Sequence, residues 1–187
     1  MRPKNACMLL LTAFIWGTAF VAQSVGMDYL EPFTFNGVRC LIGAIALLPC
    51  IWFLNRGKEK ENKVNDENAK RDLIKGGIAC GILLFAASSL QQIGLVYTAA
   101  GKAGFITAFY IVLVPVFGIF LHKKIGWKVW TAVAIALAGL YFLCITEAFT
   151  IGVGDIYVFL CALIFSVHIL VVDHYSPKVD GVKLSCI

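Results

Sequence analysis

Residues 103–121 read AGFITAFYIVLVPVFGIFL, nineteen consecutive residues without a charged side chain. A bilayer core about 30 Å thick needs roughly 20 apolar residues of helix to cross it. Five other blocks have a similar length and composition, at residues 6–25, 33–54, 76–96, 129–146 and 156–172. Transmembrane β-strands would alternate polar and apolar residues, and none of the six blocks does so. We therefore predict an all-α fold, a polytopic transmembrane bundle of about six helices.

The composition of the 187-residue chain supports a membrane location. Hydrophobic residues make up 60% of the chain and charged residues only 14%, whereas a soluble domain carries about 25% charge. The mean hydropathy is +0.84. These values exclude a soluble enzyme and a disordered protein. The formal net charge of +5 comes from short connections rather than one basic face, so the predicted partner is the lipid bilayer and not a nucleic acid.

The basic residues also predict an orientation. The N-terminus and the connections after the second, fourth and sixth blocks hold fourteen Lys and Arg residues, whereas the remaining connections hold Lys102 alone. Because cytoplasmic loops are enriched in Lys and Arg, the N-terminus and the C-terminus are both predicted to be cytoplasmic. A cleaved signal peptide is the alternative for residues 6–25, but their apolar run exceeds the usual length of a signal-peptide core.

Motifs for enzymes, metals and cofactors are missing from the sequence. The seven cysteines form no CxxC pair and no Cys/His cluster, so we predict no metal site, no cofactor and no disulfide framework. There is no HExxH motif and no Ser/His/Asp set inside the blocks, and an enzyme is not expected.

Two further motifs have simpler explanations. Residues 152–155 read GVGD, which resembles intramembrane aspartyl proteases, but their chemistry needs a second carboxylate and no other Asp lies within a block. Asp155 is predicted to cap the helix that begins there. A phosphate loop ending at Lys102 would need glycine at position 96, where Val96 stands.

A short internal similarity suggests a repeat. Residues 13–18 read AFIWGT and residues 162–167 read ALIFSV, and both stretches lie in the middle of a block. The sixth block would then be a second copy of the first, and the repeated unit would have five helices. Because five is odd, a unit that starts on one side of the membrane ends on the other, so the second copy runs in the opposite direction. Inverted repeats of this kind are typical of secondary transporters.

Several segments carry a family resemblance: Trp16-Gly17, Glu31-Pro32 leading to Arg39, Gln91 to Tyr97, and YTAAGKAGFITAFYIVLVPVF at residues 97–117. Together they resemble the EamA-type transporters of the drug/metabolite transporter superfamily. Members typically have ten helices. The resemblance implies a first five-helix repeat at residues 1–147 and the start of an inverted second repeat at 148–187. Because the chain stops at Ile187, where a seventh helix would begin, we expect a truncated member.

The resemblance also implies a function. It predicts a multi-pass transporter of the cytoplasmic membrane that moves a small organic metabolite or drug, in the export direction, by alternating access. The alternative is a non-transporting membrane subunit or a half-transporter that needs a partner chain, either a second copy as a homodimer or a complementary half.

Seven side chains in or next to the blocks are candidates for the wall of a substrate cavity: Trp16, Asn36, Arg39, Gln91, Lys102, Thr107 and Tyr110. Arg39 lies about 9 Å inside the second block at 1.5 Å per residue, where a charge costs about 2–3 kcal/mol. It is expected to line the cavity, to pair with Glu31 or Glu147, or to extend to the outer headgroups. Lys102 is either a cavity residue or an interfacial lysine.

The uncharged candidates are equally consistent with a cavity and with hydrogen bonds between helices. One backbone feature is predicted beside them: Pro115 should bend the fourth block, because proline has no N–H to donate to the preceding turn.

Overall fold

A computed structural model describes residues 3–58, 67–121, 126–144 and 152–186. These residues form eight α-helices and the connections between them, with no strand in the ranges described. The helices are α1 Pro3–Gly26, α2 Pro32–Lys58, α3 Glu67–Tyr97, α4 Ala100–Ala108, α5 Tyr110–Phe120, α6 Trp127–Cys144, α7 Val153–Tyr175 and α8 Gly181–Cys186. The all-α prediction is confirmed.

The predicted blocks agree with the helices at most positions. The first, second, third and sixth blocks lie wholly inside α1, α2, α3 and α7. Five segments are long and apolar enough to cross a membrane, and α6 contributes a shorter apolar helix, Trp127–Gly139. The fifth block was placed at residues 129–146, and its last two residues lie outside those that the structure describes.

The fourth block is divided into two helices, which the sequence did not predict. Phe109 separates α4 from α5, and its backbone N–H donates to the carbonyl oxygen of Ile106 at 3.2 Å. A bond that spans three residues rather than four tightens the helix into a single 3₁₀-type turn. The predicted bend at Pro115 is not where the helix is interrupted, since α5 continues through that residue. The two helices still form one apolar segment, Ala100–Phe120.

Helix α3 lies at the centre of the bundle. It packs along α7 over most of its length and also contacts α1, α2, α4 and α8. One apolar cluster between α3 and α7 consists of Ala87, Cys161 and Phe165, and a second joins Leu95 and Val158 to Ala103 of α4. Because lipid tails are as apolar as leucine, tight packing rather than burial from water must hold these helices together.

Two glycines set the closest approach of α3 to α7. A methyl group added at Gly94 would lie 3.0 Å from the carbonyl oxygen of Gly154 and would overlap Cγ2 of Val158. A methyl group at Gly154 would in turn lie 2.8 Å from the carbonyl oxygen of Gly94. The two backbones are therefore in contact where α7 begins and α3 ends.

The outward faces of the helices are strongly apolar. In α1 and α2, large side chains such as Leu10, Phe14, Leu41 and Ile45 are more than 60% exposed. Water contact with so large an apolar surface would be unfavourable, whereas lipid tails solvate it at no cost. The surface therefore suits a bilayer.

Candidate functional site

Arg39 joins two helices through amide side chains. Its Nη1 donates to Oε1 of Gln23 on α1 at 2.6 Å, and its Nη2 donates to Oδ1 of Asn36 on α2 at 2.9 Å. Asn36 is fully buried, and its Nδ2 lies 3.5 Å from Oγ of Ser89 on α3. We call Gln23, Asn36, Arg39 and Ser89 the arginine cluster. It connects α1, α2 and α3 by side-chain hydrogen bonds within the apolar part of the bundle.

The partners of Arg39 differ from those predicted. The sequence suggested Glu31 or Glu147, yet within the described ranges both hydrogen-bond partners are neutral amides and no carboxylate contacts the guanidinium. Glu147 lies outside those ranges. The guanidinium is also hydrogen-bonded between helices, which is the arrangement expected of an arginine that faces the bundle.

Two neighbouring glutamines of α3 have different surroundings. Nε2 of Gln91 donates to Oγ1 of Thr107 on α4 at 3.2 Å, and both side chains are buried. Gln92 is fully buried, and its Nε2 lies 3.7 Å from the sulfur of Met27. Its Oε1 has no hydrogen-bond partner among the residues that the structure describes. A buried acceptor without a partner is uncommon in native proteins.

Lys102 forms an ion pair with Asp155. Its Nζ lies 2.6 Å from Oδ2 of Asp155, with the lysine side chain 23% exposed and the aspartate side chain 8% exposed. The same carboxylate accepts from the backbone N–H of Gly152 at 2.8 Å and from Oγ1 of Thr98 at 3.0 Å. The predicted cap by Asp155 at the start of α7 is confirmed. The ion pair was not predicted, and it links α7 to α4, while the bond from Thr98 links α7 to the segment that joins α3 and α4.

The two aromatic candidates lie elsewhere in the bundle. The rings of Trp16 on α1 and Phe165 on α7 have centroids 6.4 Å apart at an interplanar angle of 55°, within the range of favourable aromatic pairs. Tyr110 is half-buried at the start of α5, three residues after Thr107.

The seven predicted residues therefore do not form one contiguous cluster. The structure brings Asn36 and Arg39 together, and it brings Gln91 and Thr107 together, whereas Lys102 and Trp16 make separate contacts with α7. Metal binding has no support in the described ranges, where no three His, Cys, Asp or Glu side chains converge.

Three contributors are not among the seven predicted wall residues: Gln23, Ser89 and Asp155, the last as an ion-pair partner. Gln23 shares a stripe of α1 with Trp16, and Ser89 lies next to the polar group formed by Ser88, Gln91 and Gln92. The spacing of these polar residues along their helices is the signal that points to the first two.

Apolar helices that enclose hydrogen-bonded polar side chains define a multi-pass α-helical membrane protein. The model of the EamA-like transporter family matches residues 4–145, and the chain belongs to that family. An uncharacterized transporter of Archaeoglobus fulgidus is 35% identical over 169 residues, which cover 90% of this chain and 48% of that protein. The uncharacterized transporter YoaV of Bacillus subtilis is 27% identical over 161 residues, which cover 83% of this chain and 51% of that protein. The chain thus spans about half the length of these relatives. No solved structure matches it.

Proposed function

We propose that this protein moves a small organic metabolite or drug across the cytoplasmic membrane, in the export direction, by alternating access. Its membership of a transporter family supports transport in general. The arginine cluster is the observation that carries the proposal, because an ionisable residue within transmembrane helices marks a substrate or ion pathway by default. The proposed cavity wall consists of the seven predicted residues: Trp16, Asn36, Arg39, Gln91, Lys102, Thr107 and Tyr110.

The proposed mechanism needs two inverted repeats, which we place at residues 1–147 and from residue 148 onward. Trp16 and Phe165 occupy equivalent positions in the two similar stretches, residues 13–18 and 162–167. Their rings contact each other. Equivalent residues of two copies related by a twofold axis can meet only close to that axis. The contact is therefore expected if α1 and α7 are related by a pseudo-twofold axis near the membrane midplane, as in inverted-repeat transporters.

Flux measurements on the complete protein test the proposal. We would load proteoliposomes with the small-molecule fraction of a bacterial extract and measure by mass spectrometry which solutes leave only when the protein is present. Transport predicts the selective loss of some solutes, and Arg39→Ala should reduce that loss. Thr18→Val is the matched control, since among the described residues the Thr18 hydroxyl bonds carbonyl oxygens of its own helix alone, those of Phe14 and Ile15.

Two results would count against this function. If no solute leaves in a protein-dependent manner, the proposal of transport fails. If flux is unchanged in Arg39→Ala at normal expression, Arg39 does not belong to the cavity wall.

A partner-dependent membrane subunit is the second candidate function. In the apolar stretches of α1 and α2, only 0% and 6% of the residues are buried within the chain. Both helices nevertheless contribute side chains to the arginine cluster. Such open faces suit a second set of helices, either from another copy of this chain or from a complementary half. Crosslinking in native membranes should then recover a dimer or a second protein, whereas a monomer at every crosslinker length would argue against this candidate.

A further inference from the structure

We propose that the solute carries a carboxylate or a comparable oxyanion, and that this group binds the guanidinium of Arg39. The inference rests on the proposed transport function and narrows its substrate class. It follows from the surroundings of Arg39. The guanidinium is held between helices by two neutral amides, which orient the cation but do not neutralise its charge.

The charge of Arg39 has no counter-ion among the residues described. Gln23 and Asn36 accept one hydrogen bond each, at 2.6 Å and 2.9 Å, and both are neutral amides. In an apolar environment a charge is stable only when it is paired or well solvated. An anion brought by the solute would supply the missing negative charge.

The guanidinium has donors left for such an anion. A guanidinium has more N–H donors than these two bonds use. The Arg39 side chain is only half-buried, whereas Gln23 and Asn36 behind it are buried. The two amides fix the guanidinium through one bond to each terminal nitrogen. The remaining donors suit an oxyanion, since arginine and carboxylate form parallel, paired hydrogen bonds.

A phosphate of a lipid headgroup shares this oxyanion chemistry. A solute is the better match because Asn36 contacts both Arg39 and Ser89 of α3, which places the guanidinium on the side of α2 that faces the bundle. The same charge argument excludes hydrophobic cations as substrates, because Arg39 would repel them.

The flux assay described above tests the inference with charge-changing variants. We expect the solutes that leave to share a carboxylate or another oxyanion. Arg39→Gln should lower their flux roughly tenfold or more, the effect of losing a hydrogen bond to a charged group. Arg71→Gln is the control for lost charge, because Arg71 is exposed in the first turns of α3, and it should leave flux unchanged. Arg39→Lys keeps the positive charge but loses the planar guanidinium and its paired donors, so it should give an intermediate flux.

Asn36→Asp separates binding from stability. The substitution preserves side-chain size and places a carboxylate oxygen where Oδ1 of Asn36 now lies 2.9 Å from Nη2 of Arg39. The hydroxyl of Ser89 can rotate to donate to it. We expect the thermal midpoint to rise, because Arg39 gains an internal counter-ion. Flux of the anionic solutes should fall about tenfold or more, because that counter-ion competes with the solute.

Each outcome decides the inference. Loss of anion flux in Arg39→Gln and in Asn36→Asp, with the second variant more stable, supports it. Protein-dependent flux of cations or neutral solutes alone overturns it and leaves transport intact. Unchanged flux in Asn36→Asp overturns it as well, since Arg39 would then be structural. Equal loss of charged and neutral solutes in Arg39→Gln would point to a lipid headgroup and also overturn it. If nothing is transported, the function and the inference fail together.

Discussion

Gln91 and Gln92 are adjacent in α3 and both buried, yet they differ in how their amides are paired. Gln91 donates to Thr107 at 3.2 Å, whereas Oε1 of Gln92 has no partner in the part of the chain described. Successive residues of a helix point about 100° apart, so Gln91 faces α4 while Gln92 faces Met27 at the end of α1. A buried polar side chain therefore stabilises the fold only when its polar atoms have hydrogen-bond partners.

We predict that Gln92→Met stabilises the protein. A buried acceptor without a partner costs about 1–3 kcal/mol, and methionine fills a similar volume without that acceptor. The midpoint of thermal unfolding in detergent should rise by about 2–4 °C for each kcal/mol gained. Gln91→Met is the matched control and should lower the midpoint, because it breaks the bond to Thr107. A lower midpoint in both variants would show that the unpaired oxygen is not destabilising.

The sequence did not predict which side chains these polar residues would contact. Asn36 and Arg39 are three residues apart in α2, a spacing that puts both on one face of a helix, and the structure shows them bonded at 2.9 Å. Of the two acidic partners suggested for Arg39, Glu31 does not contact it, and Glu147 lies outside the described residues. Opposite charge suggests attraction, but which side chains meet depends on the rotation of each helix about its axis, and an apolar helix carries little sequence signal for that rotation.

At the scale of elements, the contact between α3 and α7 depends on the absence of side chains. The backbones touch at Gly94 and Gly154, and Val158 packs over Gly94. In a membrane such close approach is a principal source of attraction between helices, since apolar burial contributes little.

We therefore predict that Gly94→Ala weakens this contact. The added methyl group would overlap Val158 and press on the carbonyl oxygen of Gly154, and overpacking of this kind costs about 1–3 kcal/mol. Unfolding in mixed micelles would measure it. The control is Gly104→Ala, because the added group there would meet no described atom within 4 Å beyond its chain neighbours and its own helix backbone. Alanine should be neutral or stabilising by up to about 1 kcal/mol in that helix. Equal effects at the two positions would contradict a specific contact at Gly94.

The sequence predicted where helices would form, but it did not predict that the fourth block would be divided into two helices. Length and apolarity identified α1, α2, α3 and α7 with ends within a few residues, apart from the N-terminal extension of α3. The interruption at Phe109 has no such signal, because phenylalanine does not disfavour helices as proline does. The ion pair between Lys102 and Asp155 was missed for a related reason. Each residue had a sufficient local explanation, as an interfacial lysine and as a helix cap, and only the packing of α7 brings them together.

For the whole molecule, the proposed orientation gives a direct prediction. With basic connections in the cytoplasm, a cysteine introduced by Thr150→Cys should react with a membrane-impermeant thiol reagent in intact cells. A cysteine introduced by Asn65→Cys should react only after permeabilisation. The natural cysteines must first be replaced, because Cys7 and Cys40 are exposed. Labelling of Asn65→Cys but not of Thr150→Cys in intact cells would invert the proposed topology.

The contact between α3 and α7 joins two helices that the ribosome synthesises at different times. The helix that packs most extensively on α3 begins 56 positions after α3 ends. While α4, α5 and α6 emerge, the nascent chain has its innermost helix in the bilayer without α7, and Lys102 has not yet met the Asp155 carboxylate. The contact between α3 and α7 can therefore form only after α4, α5 and α6 have been synthesised. Any translational pause between residues 97 and 153 would lengthen the life of that unfinished intermediate.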